Sequence, residues 1–175
     1  FDNSRSKEYL KLYSKEKKDE IVNYDKIEQI SQINVYTSPS HISNDLKKVN
    51  LNLEIFHYNT LLLKNILSLE LSNEIEYQLF IHLQSEALDV FLFQKKQFKF
   101  NNRFLISNED EFLYYLFFIV EQFEMETEGL EIVFLGKIQR YKTYYKALNQ
   151  YHNNIKFVDG DNKIENLLTH SAPYL

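Results

Sequence analysis

At 175 residues the chain has room for one domain or one and a fraction, and a chain of this size buries roughly 70% of its unfolded surface, so a real core is expected. A hydrophobic share of 44%, with 14 Phe and 13 Tyr, excludes the low-hydropathy class of disordered chains, and zero Cys excludes disulfides, thiolate catalysis and cysteine-based zinc sites. A net charge of -5 argues against a broad nucleic-acid footprint, and a total of 3 Gly argues against glycine-rich phosphate loops.

Taken in order, Asn3-Ser4 predicts the cap of a short helix carrying Tyr9, Leu10 and Tyr13. The basic cluster from Lys11 to Lys18 is diluted by Glu16, Asp19 and Glu20 and reads as a solvated loop. Ile21 to Tyr24 is a short strand candidate. Ile33 to Thr37 is a clearer one, and Ser38-Pro39 then reads as a helix start, because proline at the first helical position loses nothing by lacking an N–H. Ile42, Leu46 and Val49 give one helical stripe. Leu53 to His57 reads as another strand, Asn59 is placed to cap a helix bearing Leu62, Leu63, Ile66 and Leu67, and Ser72-Asn73 closes it. The order β-α-β-α predicts a parallel sheet with crossover helices.

From Tyr77 the period changes to two. Tyr77, Leu79, Ile81 and Leu83 share one face, Leu88, Val90 and Leu92 repeat the pattern after the turn Gln84-Ser85-Glu86, and Phe98, Phe100, Phe104 and Ile106 follow a second turn at Gln94 to Gln97. Asn108 is a good N-cap, and Glu109, Asp110 and Glu111 load the next first turn with negative charge. The helix that follows contains the longest apolar run, the nine residues from Phe112 to Val120, too short to span a bilayer and apolar almost all round. Leu130 to Leu135 reads as a strand buried on both faces and ended by Gly136. Tyr141, Tyr144, Tyr145 and Leu148 mark a second helix, Ile155 to Val158 closes the sheet, and Asp159-Gly160-Asp161 turns the chain into a terminal helix with Ile164, Leu167 and Leu168. From Glu76 to Val158 the order is βββ-α-β-α-β, that of a ribonuclease H-like or actin-like subdomain in an α/β fold with a mixed sheet.

The segments Ile33-Asn34-Val35-Tyr36-Thr37-Ser38-Pro39, Asn59 to Leu67 and Asn108 to Leu116 resemble, in order and character, a Bacteroidetes family of uncharacterised proteins with an actin-like ATPase fold, DUF3822. The resemblance implies that an opening three-stranded meander is missing before Phe1. Residues 1–73 are then the C-terminal part of a first actin-like half, and 74–175 a complete second half. It also implies an open strand edge that invites self-association.

In active actin-like proteins the first hairpin carries an Asp followed by glycines that cradle phosphate. Here it reads Ile81-His82-Leu83-Gln84-Ser85-Glu86-Ala87-Leu88, with neither, which points to a pseudo-ATPase. A ribonuclease H reading meets the same obstacle, since two-metal chemistry needs converging carboxylates and the first strand offers only His82 and the turn residue Glu86. His41, His57, His82, His152 and His170 show no metal-ligand spacing, and Asp89 reads as an outward-facing strand residue. Asp159 and Asp161 read as a simple Asp-Gly turn. No catalytic residue, metal site or cofactor is therefore expected. On the long apolar helix, Phe112, Leu116, Ile119, Val120 and Phe123 fit one core stripe, which leaves Tyr114, Tyr115 and Phe118 as a candidate partner surface. The expected role is a cytoplasmic binding or scaffold module that engages a protein partner or a second copy, without nucleic acid and without a membrane span. The alternative is a nucleotide-binding protein whose phosphate contacts lie mainly before Phe1.

Overall fold

The computed structural model describes residues 8, 10, 19–49, 54–69, 71–136 and 141–158, and the chain divides into two compact units, Phe1–Ser68 and Leu69–Leu175. Tyr9, Tyr13, the basic cluster, Leu53 and the terminal helix expected from Ile164 lie outside the described residues.

The first unit contains a hairpin of β1 (Glu20–Ile27) and β2 (Gln32–Pro39), paired antiparallel from Glu20↔Pro39 to Ile27↔Gln32. Ser31, at φ 53, closes its turn. Both strands run further than sequence alternation indicates, because each supplies the other's backbone partners. Pro39 ends β2 instead of opening a helix. The next N–H, of Ser40, donates to the Asp19 carbonyl at 2.8 Å, carrying the pairing one step past the residue that has no N–H to give. Helix α1 (Ser40–Val49) follows, and Ile42 and Leu46 on it are exposed, contrary to the expected stripe; the Val49 side chain lies outside the described set.

The expected strand at Leu53 to His57 is not formed by its described residues, Glu54 to His57, so the sheet of this unit is a two-stranded antiparallel one among the described residues and not a parallel β-α-β-α sheet. A carboxylate takes the place of a neighbouring strand. The buried Asp25 of β1 accepts the His57 N–H at 2.7 Å through Oδ2 and the Tyr36 hydroxyl at 3.1 Å through Oδ1. Helix α2 (Tyr58–Leu67) begins immediately after His57, whose Nδ1 accepts the Asn59 N–H at 3.1 Å. The cap is thus His57, and Asn59 sits inside the first turn. Leu62, Leu63 and Ile66 are buried as the helical spacing requires.

The second unit has the expected element order. Strands β3 (Tyr77–Leu83), β4 (Ala87–Gln94) and β5 (Gln97–Leu105) form an antiparallel meander, while β6 (Leu130–Leu135) and β7 (Ile155–Val158) extend the sheet in parallel from β3, giving the spatial order β5-β4-β3-β6-β7. Helices α3 (Glu109–Gln122) and α4 (Lys142–Leu148) make the two crossovers that parallel neighbours need. The core joins Leu79, Ile81, Leu88, Val90, Ile132 and Phe134 of the sheet to Phe112, Leu116, Ile119 and Leu148 of the helices. The alternate residues Phe80, Phe91, Phe93 and Val133 are buried too, so the three central strands bury both faces, as their near-continuous apolar sequence implies.

The turn between β4 and β5 is made by Lys95 and Lys96, at φ 45 and 65, a backbone that Asn-Gly adopts more easily. Strand β5 lies at the sheet edge with Lys99, Asn101 and Arg103 exposed, and the ladder to β4 slips at Leu92/Phe93. After β6 the chain turns at Gly136, φ 106, where an added Cβ would lie 3.4 Å from the Tyr141 ring.

Candidate functional site

The strongest local signal in the sequence, Asn108, does what its chemistry dictates. Its Oδ1 accepts the Glu111 N–H at 2.9 Å, and the Glu111 carboxylate accepts the Ser107 N–H at 2.7 Å, which fixes where α3 starts and so which residues face the sheet. Phe112, Leu116 and Ile119 are fully buried, and Val120 and Phe123 pack against them, giving the predicted stripe.

The opposite stripe is Asp110, Tyr114, Phe117, Phe118 and Glu121, at i, i+4, i+7, i+8 and i+11, all exposed. Tyr114 and Phe118 retain 64% and 45% of their surface and lie stacked with ring centroids 6.4 Å apart; Phe117 retains 39% and meets the exposed Tyr151 edge-on at 5.5 Å. The helix is therefore bare on its outer side among the described residues, although its sequence is apolar almost all round. Tyr115 does not belong to this surface. It is half-buried, packed against the core and stacked on Phe104 of β5. Phe117 takes its place, and the helical wheel already contained the signal, since Phe117 lies between Tyr114 and Glu121 on one face.

At the hairpin end of the sheet, Gln84 is committed through backbone and side chain alike. Its N–H donates to the Ala87 carbonyl at 2.8 Å, its side-chain amide donates to Asp89 Oδ2 at 3.2 Å, and its Oε1 accepts from Arg103 at 2.5 Å. Tyr141 fills the neighbouring position at the C-terminal ends of β3 and β6, its hydroxyl donating to the Leu83 carbonyl at 2.6 Å. Ser85 and Glu86 are exposed at the turn.

Asp89 is fully buried, which corrects the expectation that it faces outward. Cross-strand register explains this: His82, Asp89 and Arg103 are aligned on β3, β4 and β5, and the flanking side chains roof the carboxylate. Oδ2 lies 3.8 Å from His82 Nδ1, and Oδ1 lies 3.8 Å from Arg103 Nε, beyond hydrogen-bond reach. A third buried carboxylate after Asp25 and Asp89 is Glu131 on β6, a residue that the sequence did not single out. It accepts the Gln78 amide at 2.8 Å and pairs with the Lys156 ammonium at 2.5 Å. One acidic residue in an otherwise apolar strand was its signal.

The titration of two tyrosines is displaced. Burial, then the charge of Asp25 and the hydrogen bond to it, push the Tyr36 hydroxyl well above the usual tyrosine range. Burial, then Glu109 and Glu111, raise Tyr144. Of the histidines, His57 caps α2, His82 belongs to the Asp89 row, His152 is buried, His41 is exposed, and His170 lies outside the described residues, as do Asp159 and Asp161. Among the described residues no group of three or more His, Asp or Glu side chains converges as metal ligands would, and no helix is long and apolar enough to cross a membrane.

An antiparallel meander extended by two parallel strands with crossover helices defines an α/β protein of the ribonuclease H-like, actin-like class. Residues 1–155 match the family model of DUF3822, described as a protein of unknown function, and the chain belongs to that family. The chain is similar to a crystal structure from Bacteroides thetaiotaomicron VPI-5482, a protein with actin-like ATPase fold and unknown function, at TM-score 0.80 and 18% identity, covering 97% of this chain and 66% of that one. It thus spans just under two thirds of that protein's length. Pelota from Archaeoglobus fulgidus aligns over 87% of this chain and 49% of its own at 8% identity, with a TM-score of 0.34 that carries no structural argument. None of the curated proteins matches the sequence.

Proposed function

We propose that the chain is a binding or scaffold module in which the actin-like fold serves as a frame and the outer face of α3 meets a protein partner. Tyr114, Phe117 and Phe118 make that face, and Tyr115 braces it from beneath through Phe104. The carrying observation is the contrast across one helix: a stripe sealed in the core, and opposite it three neighbouring aromatics left in water. The filled hairpin at Gln84 favours this reading over nucleotide chemistry, because the Gln84 N–H is committed to the Ala87 carbonyl.

Photo-crosslinking residues placed at Tyr114 and Phe118 in the full-length protein, in its native host, test the reading. One protein should be captured at both positions and not from a control at the exposed turn residue Glu86. Equal capture at the control, or none at either helix position, would overturn it.

A further inference from the structure

Resting on the reading of α3 as a docking face, we infer that its occupant is an amphipathic helix of another protein, with an apolar stripe bounded at each end by Lys or Arg. Three aromatics occupy the middle of the outer face and a carboxylate stands at each end, Asp110 before Tyr114 and Glu121 after Phe118. Eleven residues of helix set these carboxylates about 16 Å apart. Neither Asp110 nor Glu121 has an ion pair among the described residues. The whole helix carries Glu109, Asp110, Glu111 and Glu121 and no basic residue.

The first-turn acids are explained by the helix dipole, but Glu121 is not. It stands in the last turn, where the dipole favours a cation, followed by Glu124 at φ 50, a position that glycine fills more easily. Helical stability does not account for acid at that end, whereas a basic partner does. A straight stripe with aromatics at i, i+3 and i+4 forms a ridge along which a second helix packs, and Lys or Arg side chains gain both the terminal carboxylates and the faces of Tyr114 and Phe118.

The same charges argue against a second copy of this chain. Laid antiparallel, two α3 faces set Asp110 of one against Glu121 of the other; laid parallel, they set Asp110 against Asp110 and Glu121 against Glu121. Either arrangement opposes like charges at both ends of the contact.

The test uses the whole chain and a labelled synthetic peptide of roughly 18 residues, long enough to form a helix, with a leucine stripe between two arginines spaced eleven apart, beside a twin carrying glutamates instead. Fluorescence anisotropy at low salt should show the arginine peptide binding about tenfold or more tighter than its twin, with the gap narrowing as salt is added. Asp110→Lys with Glu121→Lys should reverse the preference, and Asp110→Asn with Glu121→Gln, milder at the helix start, should abolish it. Equal binding of the two peptides, an unchanged preference in both double variants, or no binding of either peptide would overturn the proposed chemistry. Phe118→Ser separates the two levels: arginine-peptide binding that survives it unchanged removes the face itself, and the inference with it. A wild-type dimer in sedimentation that Phe118→Ser disperses would make a second copy the occupant and overturn the proposal.

Discussion

Tyr115 stacks on Phe104 with ring centroids 4.4 Å apart and planes 23° from parallel, joining the flank of α3 to strand β5. This contact divides the aromatic cluster of the helix into two kinds of residue with different mutational consequences. Leu116→Ala should destabilise by about 2–5 kcal/mol, as for a fully buried leucine. Tyr115→Ser should cost about 1–3 kcal/mol through lost stacking and partial burial. Phe118→Ser should stay within about 0.5 kcal/mol of wild type. Denaturant unfolding of the three variants checks the order, and a Phe118 variant as unstable as the Leu116 one would return the outer face to the core.

The filled hairpin gives a prediction about nucleotide. With the Gln84 N–H committed to Ala87 and the exposed Glu86 adding like charge, a phosphate has no cradle at this turn. This chain should hydrolyse no ATP and bind it no tighter than about 1 mM, near 4 kcal/mol. Calorimetry with ATP and Mg²⁺ that returned micromolar affinity would contradict the account of the turn.

The cluster of Asp25, Tyr36 and His57 makes stability fall in alkali. Because the Tyr36 hydroxyl titrates above the usual tyrosine range in the folded chain, the folded state holds a proton that the unfolded state gives up. Its contribution is complete below the ordinary tyrosine pKa and is lost as pH rises from there through the folded value. Tyr36→Phe should flatten that decline, read as urea midpoints between about pH 8 and about pH 11. Asp25→Ala leaves the Tyr36 hydroxyl and the His57 N–H without their acceptor and should cost about 2–4 kcal/mol at neutral pH.

Lys95→Asn with Lys96→Gly replaces two side chains held at positive φ by the pair that prefers this turn. The gain should be about 1 kcal/mol, less whatever the ion pair of Lys95 with Glu76 contributes at 3.1 Å. A thermal melt that moves down instead of up would mean the ion pair outweighs backbone strain.

Elements whose cause is local were legible in the sequence, and those whose cause is distant were not. Asn108 caps α3 through the N–H of Glu111 in its own first turn, and the alternation of Leu79, Ile81 and Leu83 is fixed by the strand itself. Leu53 to His57 reads as a strand by composition, yet no strand forms over Glu54 to His57; the His57 N–H goes instead to Asp25, 32 residues earlier. Asp89 and Glu131 look like surface residues until Arg103 and His82, or Gln78 and Lys156, are brought alongside by other strands. Tyr115 and Phe118 are equivalent in composition and differ only because Phe104 lies under one of them. The candidate face was therefore half readable: its helix and its aromatics, but not which of them the sheet would claim.

Strand β5 ends the sheet with charge on its rim, and this bears on how the protein behaves when crowded. An incoming strand would have to cover Lys99 and Arg103 and follow a ladder already out of step at Leu92/Phe93. Edge-to-edge stacking through β5 is thereby discouraged, although the strands behind the rim are apolar enough to seed amyloid if they were presented bare. Aggregation that begins at this edge should accordingly need conditions that first detach β5 from β4, so its turbidity would follow local opening there.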